Sequence, residues 1–285
     1  MTGKSASRLI TGAARLGGIV GRPVAHSLSP VIHNAWIETA GMDAVYAAFA
    51  PPDETAFETL VAFGRAGMLA GVNVTAPFKE QAFALADTAS AEATASGSAN
   101  VLVFEDGRVH AESTDGFGLL AALADQAPAL TLSGAVVVML GAGGAARAAA
   151  QTLAAAGAQV RLVNRSRDRA EALAADLGPA VSVADEGLSG QEGAFDGAAL
   201  VVNALSVPPT LDLNRLAAGT VVMDMTYRPV ETDFLKAARS RGLRPVDGLG
   251  MLIGQAGPSF RAIFRTEPPA LDLRPLLLAV IGDPA

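Results

Sequence analysis

Cysteine is absent from this 285-residue chain, and aromatic residues make up only 5% of it. Without cysteine the chain has no disulfide framework, no thiolate nucleophile and no zinc site with cysteine ligands. The scarcity of aromatic side chains argues against a surface that stacks nucleic-acid bases. The formal net charge of −7 disfavours nucleic acid or an anionic membrane as a partner. We therefore expect an enzyme that acts on a small molecule.

Long apolar runs and metal-ligand spacings are also missing. No stretch reaches the roughly eighteen apolar residues of a membrane span, and the first residues lack the apolar block of a signal peptide. The histidines, His26, His33 and His110, do not have the spacing of metal ligands. We expect a cytoplasmic protein with no metal and no membrane partner, either a monomer or a homodimer.

Strand-like and helix-like segments alternate along the chain, which predicts an α/β protein with mainly parallel sheets. The length is sufficient for two domains. We predict a substrate-binding catalytic domain over residues 1–114, with residues 249–285 folding back onto it. Residues 115–248 are predicted to form a Rossmann-type, doubly wound dinucleotide-binding domain.

A glycine-rich segment follows the apolar run 136–140 and precedes an alanine-rich segment. It reads Gly141-Ala142-Gly143-Gly144-Ala145. This strand, turn and helix context is typical of a dinucleotide-binding loop, in which glycine lets backbone amides approach a pyrophosphate at a helix N-terminus. The segment predicts a cofactor site.

The end of the next predicted strand, near residue 163, indicates which dinucleotide binds. An NAD site carries an acid there for the ribose 2′-hydroxyl, about twenty residues after the glycine loop. This chain instead has a basic segment, Asn164-Arg165-Ser166-Arg167-Asp168-Arg169. Guanidinium groups suit the 2′-phosphate of NADP, although these arginines could also simply flank a solvated helix start.

Polar residues also follow the predicted strands of the first domain. Ser27 and Ser29 lie before a helix whose start could hold a carboxylate, although Ser29 could merely cap that helix. Lys79 falls in the first turn of another helix, where the macrodipole disfavours a cation, so we expect its ammonium to release a proton more readily. A lysine poised in this way can exchange a proton with a hydroxyl or carbonyl, whereas most lysines are solvated surface residues.

Four further residues could join the cleft between the two predicted domains. Asn100 precedes a predicted hairpin and Asp115 follows it. If Asp115 faces Lys79, the two form an ion pair that positions the lysine, whereas its simpler role is a helix cap. Gln255 could close the site or be an ordinary exposed helix residue. Tyr227 follows a strand near the expected nicotinamide position or is a half-buried core residue.

Taken together, these segments resemble the shikimate dehydrogenase family from about Gly18 to Phe264. The motifs occur in the same order as in the family: Ser27-Leu28-Ser29-Pro30, Asn73-Val74-Thr75 with Pro77 and Lys79, Asn100, Thr114-Asp115-Gly116, Gly141-Ala142-Gly143-Gly144, Asn164-Arg165, and Asp247-Gly248-Leu249-Gly250-Met251-Leu252 with Gln255.

The resemblance implies NADPH-dependent, reversible reduction of 3-dehydroshikimate to shikimate, a step of aromatic amino-acid biosynthesis. It implies that Lys79 and Asp115 are the catalytic pair. The predicted substrate-binding residues are Ser27, Ser29, Asn73, Thr75, Lys79, Asn100, Asp115, Tyr227 and Gln255. The predicted cofactor-binding residues are Gly141, Ala142, Gly143, Gly144, Ala145, Asn164, Arg165, Ser166, Arg169, Met225 and Gly248.

The chain departs from the family pattern at three places, of which the loop after Asn203 lies near the predicted cofactor site. Ser113 replaces a common asparagine, Ser166 replaces a common threonine, and the loop after Asn203 lacks the usual Asn-Ala-Thr sequence. Two alternatives therefore stay open. One is a quinate or quinate/shikimate dehydrogenase that uses NAD, and the other is a ligand-binding relative without turnover.

Overall fold

The computed structural model describes residues 10–184, 193–205, 207–209 and 211–282. The chain divides into two compact units by its internal contacts. The first unit comprises residues up to 90, 99–112 and 256–273, and the second comprises 91–98, 113–255 and 274 onward. Every helix in the described ranges is too short or too polar to cross a lipid bilayer.

The first unit is built on a six-stranded mixed sheet. Its elements are β1 (Arg15–Val20), α1 (Ser29–Thr39), β2 (Ala44–Phe49), α2 (Glu54–Arg65), β3 (Gly71–Val74), α3 (Lys79–Ala84), β4 (Thr88–Ala89), β5 (Val101–Glu105) and β6 (Arg108–Glu112). The strand order is β2-β1-β3-β5-β6-β4, in which β1, β2 and β3 are parallel and β5 is antiparallel to both neighbours.

The second unit contains a parallel six-stranded sheet with the order β12-β11-β10-β7-β8-β9. Its elements are α4 (Ala91–Ser96), α5 (Asp115–Gln126), β7 (Val136–Leu140), α6 (Gly144–Ala155), β8 (Gln159–Val163), α7 (Arg167–Leu177), β9 (Val181–Val183), β10 (Ala198–Asn203), a 3₁₀ turn (Leu213–Arg215), β11 (Val221–Asp224), α8 (Asp233–Ser240), β12 (Arg244–Val246) and α10 (Leu273–Ile281). The long helix α9 (Gly248–Phe264) contributes residues to both units.

The central strands of the second sheet are continuous apolar runs because both of their faces are covered. Along β7, Val137 and Met139 join one hydrophobic cluster, whereas Val138 and Leu140 join another. This alternation follows from the two-residue period of a strand. The predicted doubly wound α/β fold is confirmed.

The two contact units and the two predicted domains have different limits. The predicted change of domain lies between residues 114 and 115, and the contact units change between Glu112 and Ser113. Of the predicted C-terminal return, residues 256–273 group with the first unit, while 249–255 and 274 onward group with the second.

The start of α1 corrects one expectation. Ser29 does not cap this helix, because it is already the first helical residue, 2% exposed, and the N-cap is Leu28 without a side-chain bond. The Ser27 hydroxyl accepts the Ser29 N–H at 3.2 Å, and so supplies the acceptor from two residues upstream.

An aromatic cluster covers one face of the first sheet. His33 stacks on Tyr46 with ring centroids 4.1 Å apart and lies edge-on to Trp36. Phe260 from α9 also packs on the histidine ring. His33 is fully buried, neither ring nitrogen has a hydrogen-bond partner among the described residues, and burial lowers its pKa to about 3.

This burial predicts a pH-dependent stability. Between pH 6.5 and 3 the unfolded chain binds a proton at His33 that the folded chain does not, so the free energy of unfolding decreases as the pH falls through this window. His33→Phe keeps a flat ring in the stack and removes the titration. We expect the pH slope of this variant to be shallower by about 1.4 kcal/mol per pH unit near pH 4.5 and by about half that near pH 6.5, measured by denaturant unfolding across this range.

A matched control is His110→Gln, which removes a histidine whose side chain is 42% exposed. Equal changes of slope in the two variants would contradict the assignment to His33.

Candidate functional site

In the first unit, the carboxyl ends of β1 and β3 lie side by side. Val20 and Val74 are in register, and the Thr75 N–H donates to the Val20 carbonyl at 2.8 Å. The chain leaves β1 toward β2 on one side, and β3 lies on the other side, so this is a switch point where open sheets bind ligands. The Arg22 N–H donates to the Ala76 carbonyl, which holds the two following loops together.

The β1 loop carries the two predicted serines. Ser27 is half-buried and Ser29 is buried at the start of α1. The Ser27 hydroxyl oxygen accepts the Ser29 N–H, and this bond fixes Ser27 beside the first residue of α1. Both can donate hydrogen bonds to an anionic group at this end of the helix.

The β3 loop carries Thr75 and Lys79, and the structure places Asn100 beside it. Lys79 is the first residue of α3, and its carbonyl accepts the Ala99 N–H at 2.9 Å. The Val74 N–H donates to the Asn100 carbonyl at 2.8 Å. These backbone bonds bring Asn100 to the same edge of the first sheet as Thr75 and Lys79, which lie more than twenty residues earlier in the sequence.

Asn73 lies on β3, and most of the hydrogen-bonding capacity of its side chain is taken by other protein groups. It is 4% exposed, and its Nδ2 donates to Ser259 Oγ at 3.0 Å and to the Asn100 carbonyl at 3.3 Å. Its Oδ1 accepts the Tyr46 hydroxyl at 2.7 Å. Burial raises the pKa of Tyr46, so this phenol stays a donor. Asn73 can offer a ligand at most one further acceptor position.

In the second unit, the glycine segment has the expected strand, turn and helix geometry. Strand β7 ends at Leu140, Gly141 has φ +109°, and α6 begins at Gly144. A side chain is strained at that φ. A Cβ added at Gly143 or Gly144 would meet nothing within 4 Å, so open space lies beside the helix N-terminus. This backbone fits a pyrophosphate.

The basic segment joins β8 to α7. Arg167 forms an ion pair with Glu171 at 2.7 Å. Arg165 and Arg169 are exposed, and within the described ranges no ion pair engages either of them. The Asn164 side chain donates to the Ser166 carbonyl at 2.8 Å and fixes the turn. These two arginines are therefore the guanidinium groups that remain available to a phosphate.

The start of α5, which carries Asp115, is bonded to Gln255 of α9 within the second unit. Asp115 is the first residue of α5, and the preceding Thr114 donates from Oγ1 to Gln255 Oε1 at 3.3 Å. Helices α5 and α9 approach closely at Gly118, where the absence of a side chain is required. A Cβ at this position would lie 2.5 Å from the Met251 carbonyl oxygen. Gln255 is 8% exposed, so its interpretation as an ordinary exposed helix residue is wrong.

The loop after β11 carries Met225 and Tyr227, both half-buried. Sequence reasoning overlooked the polar residues around this loop, Asp224 and Thr232, and it also overlooked Tyr46 in the first unit. Asp224 could have been noticed because it is a polar residue directly after the apolar run Val221–Met223. Nothing in the sequence indicates that Tyr46 contacts Asn73.

Histidine and carboxylate side chains are the groups in this chain that are typical ligands of a metal ion. In the part of the chain that the structure describes, no group of three or more of them could hold a metal ion.

Two family models match the chain. Residues 19–102 match the shikimate dehydrogenase substrate binding domain, and residues 122–209 match shikimate / quinate 5-dehydrogenase.

Individual relatives are similar over nearly their whole length. A shikimate dehydrogenase (NADP(+)) of Caulobacter vibrioides is 49% identical over 283 residues, which is 96% of this chain and 98% of the relative. The crystal structure of shikimate 5-dehydrogenase from Thermus thermophilus with NADP(H) and shikimate is 36% identical, with a TM-score of 0.79 over 90% of this chain and 95% of that one. Quinate dehydrogenase from Corynebacterium glutamicum with NAD is 30% identical, with a TM-score of 0.84 over 93% and 99%.

The two available arginines generate a prediction about cofactor choice. Replacing Arg165 and Arg169 together by serine should weaken NADPH binding by about tenfold to a hundredfold, because charge-assisted bonds to the 2′-phosphate are lost. NADH binding should change by about twofold or less. Fluorescence titration of each reduced cofactor measures both affinities.

Arg167→Gln is the matched control, since the guanidinium of Arg167 already pairs with Glu171. An equal loss of NADPH and NADH affinity in the double variant would remove the 2′-phosphate assignment.

Proposed function

Because the chain belongs to the shikimate dehydrogenase family, we propose that it catalyses the reversible, NADPH-dependent reduction of 3-dehydroshikimate to shikimate. This reaction serves chorismate and aromatic amino-acid biosynthesis. The observation that carries the proposal is the 49% identity, over 96% of the chain, to a relative with that named activity. The available Arg165 and Arg169 support NADP as the cofactor.

On the substrate side, we propose that Ser27 and Ser29 bind the carboxylate. Their hydroxyl groups lie at the start of α1, where the helix dipole favours an anion. The hydroxyl groups of the substrate are proposed to contact the remaining members of the predicted set: Asn73, Thr75, Lys79, Asn100, Asp115, Tyr227 and Gln255.

On the cofactor side, the backbone of Gly143 and Gly144 would hold the pyrophosphate. Arg165 and Arg169 would hold the 2′-phosphate, and Met225 and Gly248 lie at the loop proposed to face the nicotinamide end. The remaining proposed contacts are Gly141, Ala142, Ala145, Asn164 and Ser166. NADPH, when bound, supplies the hydride that the carbonyl carbon receives.

We propose that Lys79 supplies the proton. Reduction of a ketone to an alcohol needs one proton at the oxygen, and the Nζ of Lys79 donates it, leaving a neutral amine that solvent reprotonates. In the reverse direction the amine takes the hydroxyl proton. Asp115 is proposed to accept a hydrogen bond from the substrate hydroxyl and to position the lysine as its ion-pair partner.

The main competing function is quinate oxidation with NAD, because the quinate dehydrogenase of Corynebacterium glutamicum shares the fold at a TM-score of 0.84. The basic segment after β8 disfavours NAD as the cofactor. An NAD site has a carboxylate there that binds the ribose 2′-hydroxyl, whereas this chain has arginine.

The test is an oxidation assay with shikimate or quinate and either NADP or NAD. We expect turnover with shikimate and NADP to exceed every other pairing by at least about tenfold. Preference for quinate or NAD would move the chain to the competing function, and absence of turnover in all four mixtures would indicate a ligand-binding protein.

Lys79→Ala tests the proton transfer. We expect kcat to fall by about a hundredfold or more, because general acid catalysis contributes that much, while NADPH affinity changes little. Stopped-flow turnover and fluorescence titration measure the two quantities.

Lys236→Ala is the matched control, because Lys236 is an exposed lysine that forms an ion pair with Asp233 in its own helix. If Lys79→Ala lost cofactor binding and turnover in parallel, the residue would serve folding instead of proton transfer.

A further inference from the structure

Two buried polar residues end adjacent strands of the second sheet. Asn203 closes β10 and Asp224 closes β11, they are in register, and each is 2% exposed. Side chains in register on parallel strands point to the same side of the sheet. The Asn203 Nδ2 donates to Asp224 Oδ1 at 3.1 Å.

Asp224 ties both ends of the loop that follows β11. Its Oδ1 accepts the Thr226 N–H at 3.0 Å, and its Oδ2 accepts the Thr232 hydroxyl at 2.8 Å. Thr232 is also the N-cap of α8 and accepts the Leu235 N–H. One carboxylate therefore fixes the beginning and the end of the segment that contains Tyr227.

Asn203 shapes the neighbouring loop in the same way. Its Oδ1 accepts the Leu205 N–H at 3.2 Å. This loop lies against the glycine turn. A Cβ at Gly141 would be 3.4 Å from the Ala204 carbonyl oxygen and 3.3 Å from a Leu205 methyl group. The order of the strands changes direction between β7 and β10, so both loops lie at the switch point of the second sheet.

The β11 loop is also confined from the other side. A Cβ at Gly248 would lie 2.5 Å from the Met225 carbonyl oxygen and 2.6 Å from that of Thr226, so only glycine allows α9 to start against this backbone. The loop is held between α9 and the Asp224 carboxylate.

A buried carboxylate is costly, and in the described part of the chain no cation pairs with Asp224. Its three accepted bonds compensate for that cost. They come from an amide side chain, a backbone N–H and a hydroxyl, which belong to three different segments. A neutral side chain of this size cannot accept all three in the same geometry, since an amide has only one oxygen.

We propose that Asp224 and Asn203 are positioning residues for the nicotinamide half of the cofactor site. They hold the loops after β10 and β11 in the arrangement that places Met225 and Tyr227 at the reacting end, and they leave the adenine half of the site unaffected. This inference rests on the proposed function, because it takes NADPH as the ligand.

The test compares NADPH with 2′,5′-ADP, a fragment that keeps the adenine half and the 2′-phosphate but has no nicotinamide. Asp224→Asn keeps the side-chain size and loses one acceptor, and Thr232→Val loses the hydroxyl at equal size. In both variants we expect the Kd for NADPH to rise about tenfold and the Kd for 2′,5′-ADP to stay within about twofold, by isothermal titration. Thr232→Ser keeps the hydroxyl, so its Kd for NADPH should stay near that of the unsubstituted protein.

Asp53→Ala is the matched control for loss of a helix cap alone, because the Asp53 side chain caps α2 of the first unit by accepting the Ala56 N–H. It should change neither Kd. If Asp224→Asn does not fold, Thr232→Val and its serine counterpart give the same comparison.

The positioning role alone would be overturned if the unsubstituted protein binds both ligands and the variants show an equal rise of both Kd values. The same conclusion would follow if neither Kd rises in the variants. Failure of the unsubstituted protein to bind either ligand would overturn the proposed function, and the inference with it.

Discussion

The register of the parallel strands is the constraint on which both candidate half-sites depend. In the first sheet it sets Val20 beside Val74, so that the serine loop and the lysine loop leave the same edge together. In the second sheet it aligns Val163, Leu140 and Asn203 across three strands, with Asp224 on the fourth. A shift of one residue would turn these side chains to the opposite face.

The polar side chains at these edges fall into two classes by burial. Asn73 and Asp224 are buried, and their hydrogen bonds are made largely or wholly to the protein, so their effect is to fix neighbouring loops. Arg165 and Arg169 are exposed and keep their charge available to a ligand. An unpaired buried polar group is costly, so Asn73 and Asp224 make most of their hydrogen bonds to the protein and shape the site, whereas Arg165 and Arg169 can bind a ligand without that cost.

Much of the fold and the candidate site could be predicted because local signals carried them. The apolar runs predicted the central strands, and Gly141 to Gly144 predicted the turn into α6. The short strands β4 and β9 were not predicted, because two or three residues give too little periodicity, and helix α8 was not predicted either. The burial of Gln255 was left open, since it depends on a contact with the start of α5, which lies far away in sequence.

The sequence by itself determined the fold class, the dinucleotide-binding turn and the family, because glycine, apolar period and motif order act over short stretches of chain. The tertiary structure alone decided which polar residues are already paired. Tyr46 meets Asn73, Asp224 meets Thr232, and the Ser27 hydroxyl accepts the Ser29 N–H. These pairings depend on strand order and loop geometry, which bring together hydrogen-bonding groups whose spacing along the chain carries no signal.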